Sequence, residues 1–185
     1  MDREELQGFC ADANTEPYRD YIHTPFSRGD FTYATDGRIM VRVARVAAIT
    51  RDAKEIKTLE KPLEGADAIT YRRLPAADLP GAQKESCTKC DGRGKEHDCP
   101  DCECICEACN GSGLLWEKAS VSIGGVPFAL KYVNRMLTLP EVEIAASNED
   151  GKPLLFRFRG GIGSVMPLRL AYDRHFDPWS ETKAA

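Results

Sequence analysis

Long apolar runs are missing from this chain, and none approaches the ~20 residues needed to cross a bilayer. The opening stretch from Met1 to Cys10 is acidic and has no apolar signal core, so a secretory leader is not expected. Positive charge is not in excess either. Lys and Arg number 25 against 29 Asp and Glu, for a net charge of -4, which gives no global reason to expect phosphate-backbone binding. Histidine is scarce, and His23, His97 and His175 have no His-Glu-x-x-His pair or nucleophile elbow around them. A phosphate loop is absent as well, because Gly160, Gly161 and Gly163 lie between two expected strands and not ahead of a helix. An enzyme is therefore not expected. A cytoplasmic address is, and there thiols stay reduced and clustered cysteines favour metal over disulfides.

Cysteine is the residue the chain does have. Seven of the eight lie between Lys84 and Leu114, in the pairs Cys87/Cys90, Cys99/Cys102 and Cys106/Cys109, with Cys104 between. Each pair has the Cys-x-x-Cys spacing that lets two thiolates of one turn grip one metal ion. Two pairs run on into Gly92/Gly94 and Gly111/Gly113, where glycine lets the backbone fold tightly around a knuckle. His97 stands two residues before Cys99 and can supply a neutral imidazole, so His97, Cys99, Cys102 and Cys104 make a second candidate set. That gives two metal ions, or one if His97 is only an exposed loop residue. The segment holds four basic residues against seven acidic ones. Its thiolates add more negative charge than two zinc ions remove, which suits a protein-binding knob better than a phosphate binder.

Around this segment the chain has room for one sizeable core. Leu6, Phe9, Cys10 and Ala13 share one face of an expected helix over residues 2–13, with Asp2, Glu4 and Glu5 in its first turn. Cys10 reads as a buried, inert thiol. Strands are expected at 18–22, 31–34 and 39–46, with a hairpin turn at Asp36–Gly37. Ile39, Val41 and Val43 would point inward, and Arg38, Met40 and Arg42 outward. Residues 51–64 read as a charged loop or short helix, and 68–73 as a strand. Beyond the cysteines come an expected strand over 117–126, a helix over 128–137 opened by Pro127 and stopped by Pro140, and strands at 141–146, 154–159 and 164–170. Residues 174–185 form a polar tail, either loosely packed or a docking peptide.

Two resemblances follow. The Cys-x-x-Cys-x-Gly-x-Gly stretches at Cys87–Gly94 and Cys106–Gly113 resemble the repeats of DnaJ-type zinc fingers. By that resemblance Cys87, Cys90, Cys106 and Cys109 form one closed zinc site of four thiolates; an iron–sulfur cluster would also accept thiolates, but the glycine-tailed knuckles favour zinc. The run from Tyr33 to Met40, with its Ala-Thr-Asp-Gly turn, resembles bacterial DNA polymerase sliding clamps. So does the closing part, with Tyr132–Leu137, Val142–Ile144, Pro153–Phe156 and Val165–Leu170.

The resemblance implies an α+β fold: a single clamp-like domain (1–80 plus 115–173), helices on an antiparallel sheet, interrupted by an irregular zinc-finger insertion (84–114). It also implies a peptide groove at Thr35, Gly37, Met166, Pro167 and Leu168, whose two halves would meet between two protomers. Encirclement of DNA does not follow easily, since the first helix is acidic and Lys131 and Arg135 are the second helix's only cations. The expected function is a non-enzymatic zinc-binding interaction module with a protein partner, in replication or in a phage or prophage, without membrane contact and compatible with a homo-oligomer. The alternative is nucleic-acid binding through the basic strand faces Arg38/Arg42 and Arg157/Arg159.

Overall fold

Thr35, Asp36 and Gly37 close a tight hairpin turn on which the first half of the fold is built. The Thr35 hydroxyl donates to the Ile39 carbonyl at 2.7 Å and accepts the Gly37 amide at 3.0 Å, and Asp36 Oδ1 accepts the amides of Arg38 and Ile39. The turn thus satisfies its own backbone through side chains, with Gly37 at φ 86°. The computed structural model describes residues 1–13, 16, 18–52, 60–75, 77–95, 104–109, 111–146 and 151–179.

In chain order the elements are α1 (Arg3–Gln7), β1 (Phe26–Arg28), β2 (Phe31–Thr35), β3 (Ile39–Ala44), β4 (Tyr71–Arg73), β5 (Lys84–Ser86) and β6 (Leu114–Trp116). Then follow β7 (Ala119–Ile123), β8 (Val126–Ala129), α2 (Leu130–Leu137), β9 (Glu143–Ala145), β10 (Leu154–Phe158), β11 (Gly161–Val165) and β12 (Arg174–Phe176). Among the described residues three sheets result, ordered β1-β2-β3-β11-β10-β9-β4, β12-β7-β8 and β5-β6. The architecture is mostly sheet with few, short helices, so the expected α+β balance leans further toward β. Among the described residues no helix is long and apolar enough to cross a membrane.

The pairing of β3 with β11 joins the two halves of the chain, with Ile39 opposite Val165 and Val41 opposite Gly163. Gly163 is required by packing: a Cβ there would stand 2.2 Å from the Phe156 ring and 2.5 Å from the Met40 carbonyl oxygen. On one face of the large sheet, Ala34, Ile39, Val41, Val43, Leu154 and Phe156 pack with Leu130, Val133 and Met136 of α2 and with Val121 and Phe128. The other face is expected to be wet along β3, and it is not. Phe26, Tyr33, Met40 and Leu63 form a second small cluster there, with Phe26 and Tyr33 stacked at 5.8 Å, and Arg42 is half-buried beside them.

Several expected boundaries move. The first helix stops at Gln7, and its capping box between Asp2 and Glu5 fixes only its start. Leu6 and Phe9 are buried, Cys10 is half-buried and Ala13 is exposed, because the chain turns away after Gly8. Residues 20–22 form a 3-10 turn where a strand is expected, and of two further such turns, at 61–63 and 66–68, the latter shortens the 68–73 strand to β4. Pro127 does not open a helix. It lies in β8 opposite Ser122, after a Gly124–Gly125 hairpin turn at φ 63° and 86° that suits a type I′ geometry. The last meander strand runs from Gly161 to Val165, starting and ending earlier than the expected 164–170 span.

Residues 174–179 pack against the body of the fold. β12 runs parallel to β7, and His175 Nδ1 lies 2.9 Å from the buried Ser120 hydroxyl. Trp179 is buried, with its indole N–H donating to the Pro75 carbonyl at 3.0 Å.

Candidate metal centre

The finger grows from a stem. β5 and β6 pair antiparallel, with Lys84 opposite Trp116 and Ser86 opposite Leu114, and bring Cys87 and Gly113 together. From there the chain builds two knuckles that repeat each other's bonds. The Cys87 amide donates to the Gly113 carbonyl and the Cys106 amide to the Gly94 carbonyl, each at 2.8 Å. The Gly92 amide donates to the Cys87 carbonyl and the Gly111 amide to the Cys106 carbonyl, each at 3.1 Å. The Gly94 and Gly113 amides then donate to the Cys90 and Cys109 sulfurs, each at 3.3 Å. A local two-fold relation between the knuckles is the consequence. The glycines permit it: a Cβ on Gly94 would lie 2.2 Å from the Gly111 carbonyl oxygen, and one on Gly113 would lie 2.2 Å from that of Gly92.

This arrangement places four sulfurs in a cluster. Cys87 Sγ and Cys106 Sγ are 3.9 Å apart, Cys90 Sγ and Cys109 Sγ are 3.7 Å apart, and all four lie within 4.8 Å of one another. A tetrahedral metal with bonds of ~2.3 Å needs sulfur–sulfur edges of about 3.8 Å. The four residues therefore fit one metal ion. All four are buried, with Leu115 packed against them. For Cys90 and Cys109, burial raises the cost of charging the thiol, and the Gly94 and Gly113 amides offset it by donating to sulfur. For Cys90, burial works against ionisation, but the Gly94 amide and the neighbouring thiols bring its pKa down to about 7. Burial and the neighbouring sulfurs push Cys109 up to about 11. A bound cation removes that opposition, which couples metal binding to proton release.

The second candidate set falls mostly outside what the structure describes. His97, Cys99 and Cys102 lie outside the described residues, and Cys104 is exposed and apart from the four clustered sulfurs. Cys10 is also separate. Its thiol points to the Leu6 carbonyl at 3.8 Å, and burial pushes its pKa to about 12, in keeping with an inert thiol.

Comparisons of the chain with protein-family models, curated proteins and solved structures give no match.

Of the expected groove residues, Thr35, Gly37 and Met166 line one cavity of about 160 Å³ within a single chain. No second protomer is needed to bring them together. The β3–β11 pairing does so, extended by the Met166 amide donating to the Arg38 carbonyl at 2.8 Å. Pro167 and Leu168 turn away, the Leu168 amide bonding the Pro127 carbonyl, and line a different cleft. The cavity is completed by residues the sequence did not mark, Arg19, Tyr21 and Ile22 from the 3-10 turn and Pro62 from another. Only a hairpin turn with a segment returning from afar could have signalled them. Three of the four arginines on the basic strand faces, by contrast, are answered by acids. Arg42 meets Glu60 at 2.9 Å, Arg159 meets Glu141 at 2.7 Å, and Arg157 pairs with Glu143.

Proposed function

We propose that this chain is a non-enzymatic interaction module, a zinc-stabilised finger carried on a sliding-clamp-like scaffold that docks a protein partner through a short peptide. The observation that carries the reading is the closed set of four sulfurs, Cys87, Cys90, Cys106 and Cys109, at tetrahedral spacing. Four thiolates fill the coordination sphere of zinc and leave no position for substrate, so the ion's work is to hold the finger folded. The DnaJ-like knuckles and the order of clamp-like stretches support the two halves of the reading.

The peptide's chemistry follows from the cavity beside Gly37. Tyr21, Ile22, Ile39, Met40, Pro62 and Met166 supply an apolar wall with room for one large side chain. Arg19 and Arg38 stand beside it, and the Arg19 guanidinium lies against Gly37, 2.8 Å from where a Cβ would be. An apolar residue flanked by an acidic one matches that pattern.

Two measurements test the reading. Metal analysis of the purified protein should return at least one zinc per chain, lost when Cys90 is replaced by Ser. A labelled peptide library fixed for one Leu or Phe beside one Asp should yield binders that Met166→Glu abolishes. Equal enrichment from a library carrying Ser in the apolar position would overturn the docking half, and a metal-free, fully folded protein would overturn the other.

A further inference from the structure

A second, larger cavity shares only Arg38 and Met166 with the cavity beside Gly37. A cleft of about 1380 Å³ opens between the finger stem and the scaffold, bounded by Ser112, Leu114 and Trp116 on one side and by Lys131, Leu168 and Tyr172 on the other. Pockets for a single small molecule are ~300–1,000 Å³, so this one suits part of a polymer. Four cations line it, Arg38, Lys84, Lys131 and Arg169, against Asp12, Glu16 and Asp36. Asp36 is already engaged by Arg135 at 3.5 Å. Among the described residues none of the four cations has an ion-pair partner.

Trp116 sits in the middle of this charge. It is 40% exposed, large and apolar, and the ammonium groups of Lys84 and Lys131 lie 5.3 and 5.9 Å from its ring centre. Lys131 also lies 4.7 Å from the Tyr132 ring. Burial pulls the Lys131 pKa below the ordinary lysine value, so the aromatic faces compensate only part of the hydration it gives up. An anion entering the cleft would supply the rest.

An aromatic ring set among unpaired cations is the recognition chemistry of single strands, where each base has a face to stack and each phosphate a charge to meet. A duplex keeps its bases stacked on one another and offers nothing to the indole. We propose that the cleft between the finger stem and α2 binds single-stranded nucleic acid, with Trp116 stacking on a base and Arg38, Lys84, Lys131 and Arg169 holding neighbouring phosphates. The stem then has a second task, since Lys84 and Trp116 face each other across β5 and β6.

The test uses the whole zinc-loaded protein and a fluorescein-labelled 12-mer of thymidylate, read by anisotropy at low and moderate salt. Binding should appear at low salt and weaken with a log–log slope of about -2 to -3, as contacts to three or four phosphates of a single strand require. Because Trp179 is buried and Trp116 is not, tryptophan quenching on binding reports Trp116. Trp116→Ala should lower affinity about tenfold or more, Trp116→Phe should restore most of it, and Lys84→Gln with Lys131→Gln should flatten the salt slope. Zinc content of each variant shows that the finger is intact. Absence of binding at low salt, equal affinity for a 12-base-pair duplex, or full affinity in a zinc-loaded Trp116→Ala variant would each overturn the proposal. So would displacement by polyglutamate as effective as by oligonucleotide, which would make the cleft a seat for an acidic protein.

Discussion

Gly92 and Gly94 offer a paired perturbation of the metal site. Their backbones are almost the same, at φ 77° and 76°, so alanine at either position pays the left-handed penalty of about 1–2 kcal/mol. Their surroundings differ. A Cβ on Gly92 meets nothing closer than the Ser86 hydroxyl at 3.6 Å, whereas one on Gly94 lies 2.2 Å from the Gly111 carbonyl oxygen and 3.0 Å from its carbon. That neighbour is backbone of the opposite knuckle and cannot rotate away, so the knuckles must part, adding an overpacking cost of about 1–3 kcal/mol. The same movement draws the Gly94 amide from Cys90 sulfur. Because finger folding and metal binding are one equilibrium, Gly92→Ala should weaken zinc affinity about tenfold and Gly94→Ala on the order of 100-fold or more, at 1.4 kcal/mol per tenfold. Competition against a chromogenic chelator measures both. Equal losses at the two positions, or none at Gly94, would refute the two-fold packing of the knuckles as the source of affinity.

Other outcomes can be stated briefly. Cys87→Ser should strip the clustered site of metal and unfold the finger while leaving a cooperative scaffold melt by circular dichroism; loss of that melt would show that finger and scaffold fold as one unit. Iodoacetamide at pH 8 should label the exposed Cys104 and spare Cys10, as mass spectrometry of the digested protein would show. The folded chain holds the Cys10 proton to about pH 12 while an unfolded thiol loses it near 9, so Cys10 contributes stability below pH 9 that is lost as pH rises toward 12. Cys10→Ala should blunt that alkaline decline in urea melts. Trp179→Ala removes a buried indole and its bond to Pro75, and should cost about 3–5 kcal/mol in the same melts; a cost under about 1 kcal/mol would mean the tail is not part of the core.

Local patterns carry most of what can be read without coordinates. The Asp36–Gly37 hairpin, the alternation of Leu154, Phe156 and Phe158, and the two glycine-tailed cysteine pairs are all encoded within a few residues, and each lies close to where its pattern puts it. What is illegible is non-local. Nothing near Ile39 announces that Val165 will pair with it, and nothing near Arg174 announces a parallel partner at Ala119. Pro127 departs from expectation for a different reason. A proline before an apolar run looks like a helix start, yet it is equally tolerated in an edge strand, and the preceding Gly124–Gly125 turn decides between them. Alternation alone assigns Met40 to water, because it cannot see the Phe26, Tyr33 and Leu63 that cover it. The groove is half legible for the same reason: its turn is local, while Arg19, Tyr21 and Pro62 arrive from other parts of the chain.

The β5–β6 stem also brings the two ends of the cysteine segment side by side. Because Lys84 and Trp116 are direct partners, the ends of the finger are separated by a single strand-to-strand spacing, about 5 Å. Everything between them is a detour that returns the chain to its starting point. A two-residue hairpin turn would close the same gap, so the finger can be excised or exchanged in one piece without re-threading either large sheet. The segment should then behave as a transplantable cassette, and a shortened chain with such a turn in place of residues 87–113 should keep the scaffold and its Gly37 cavity.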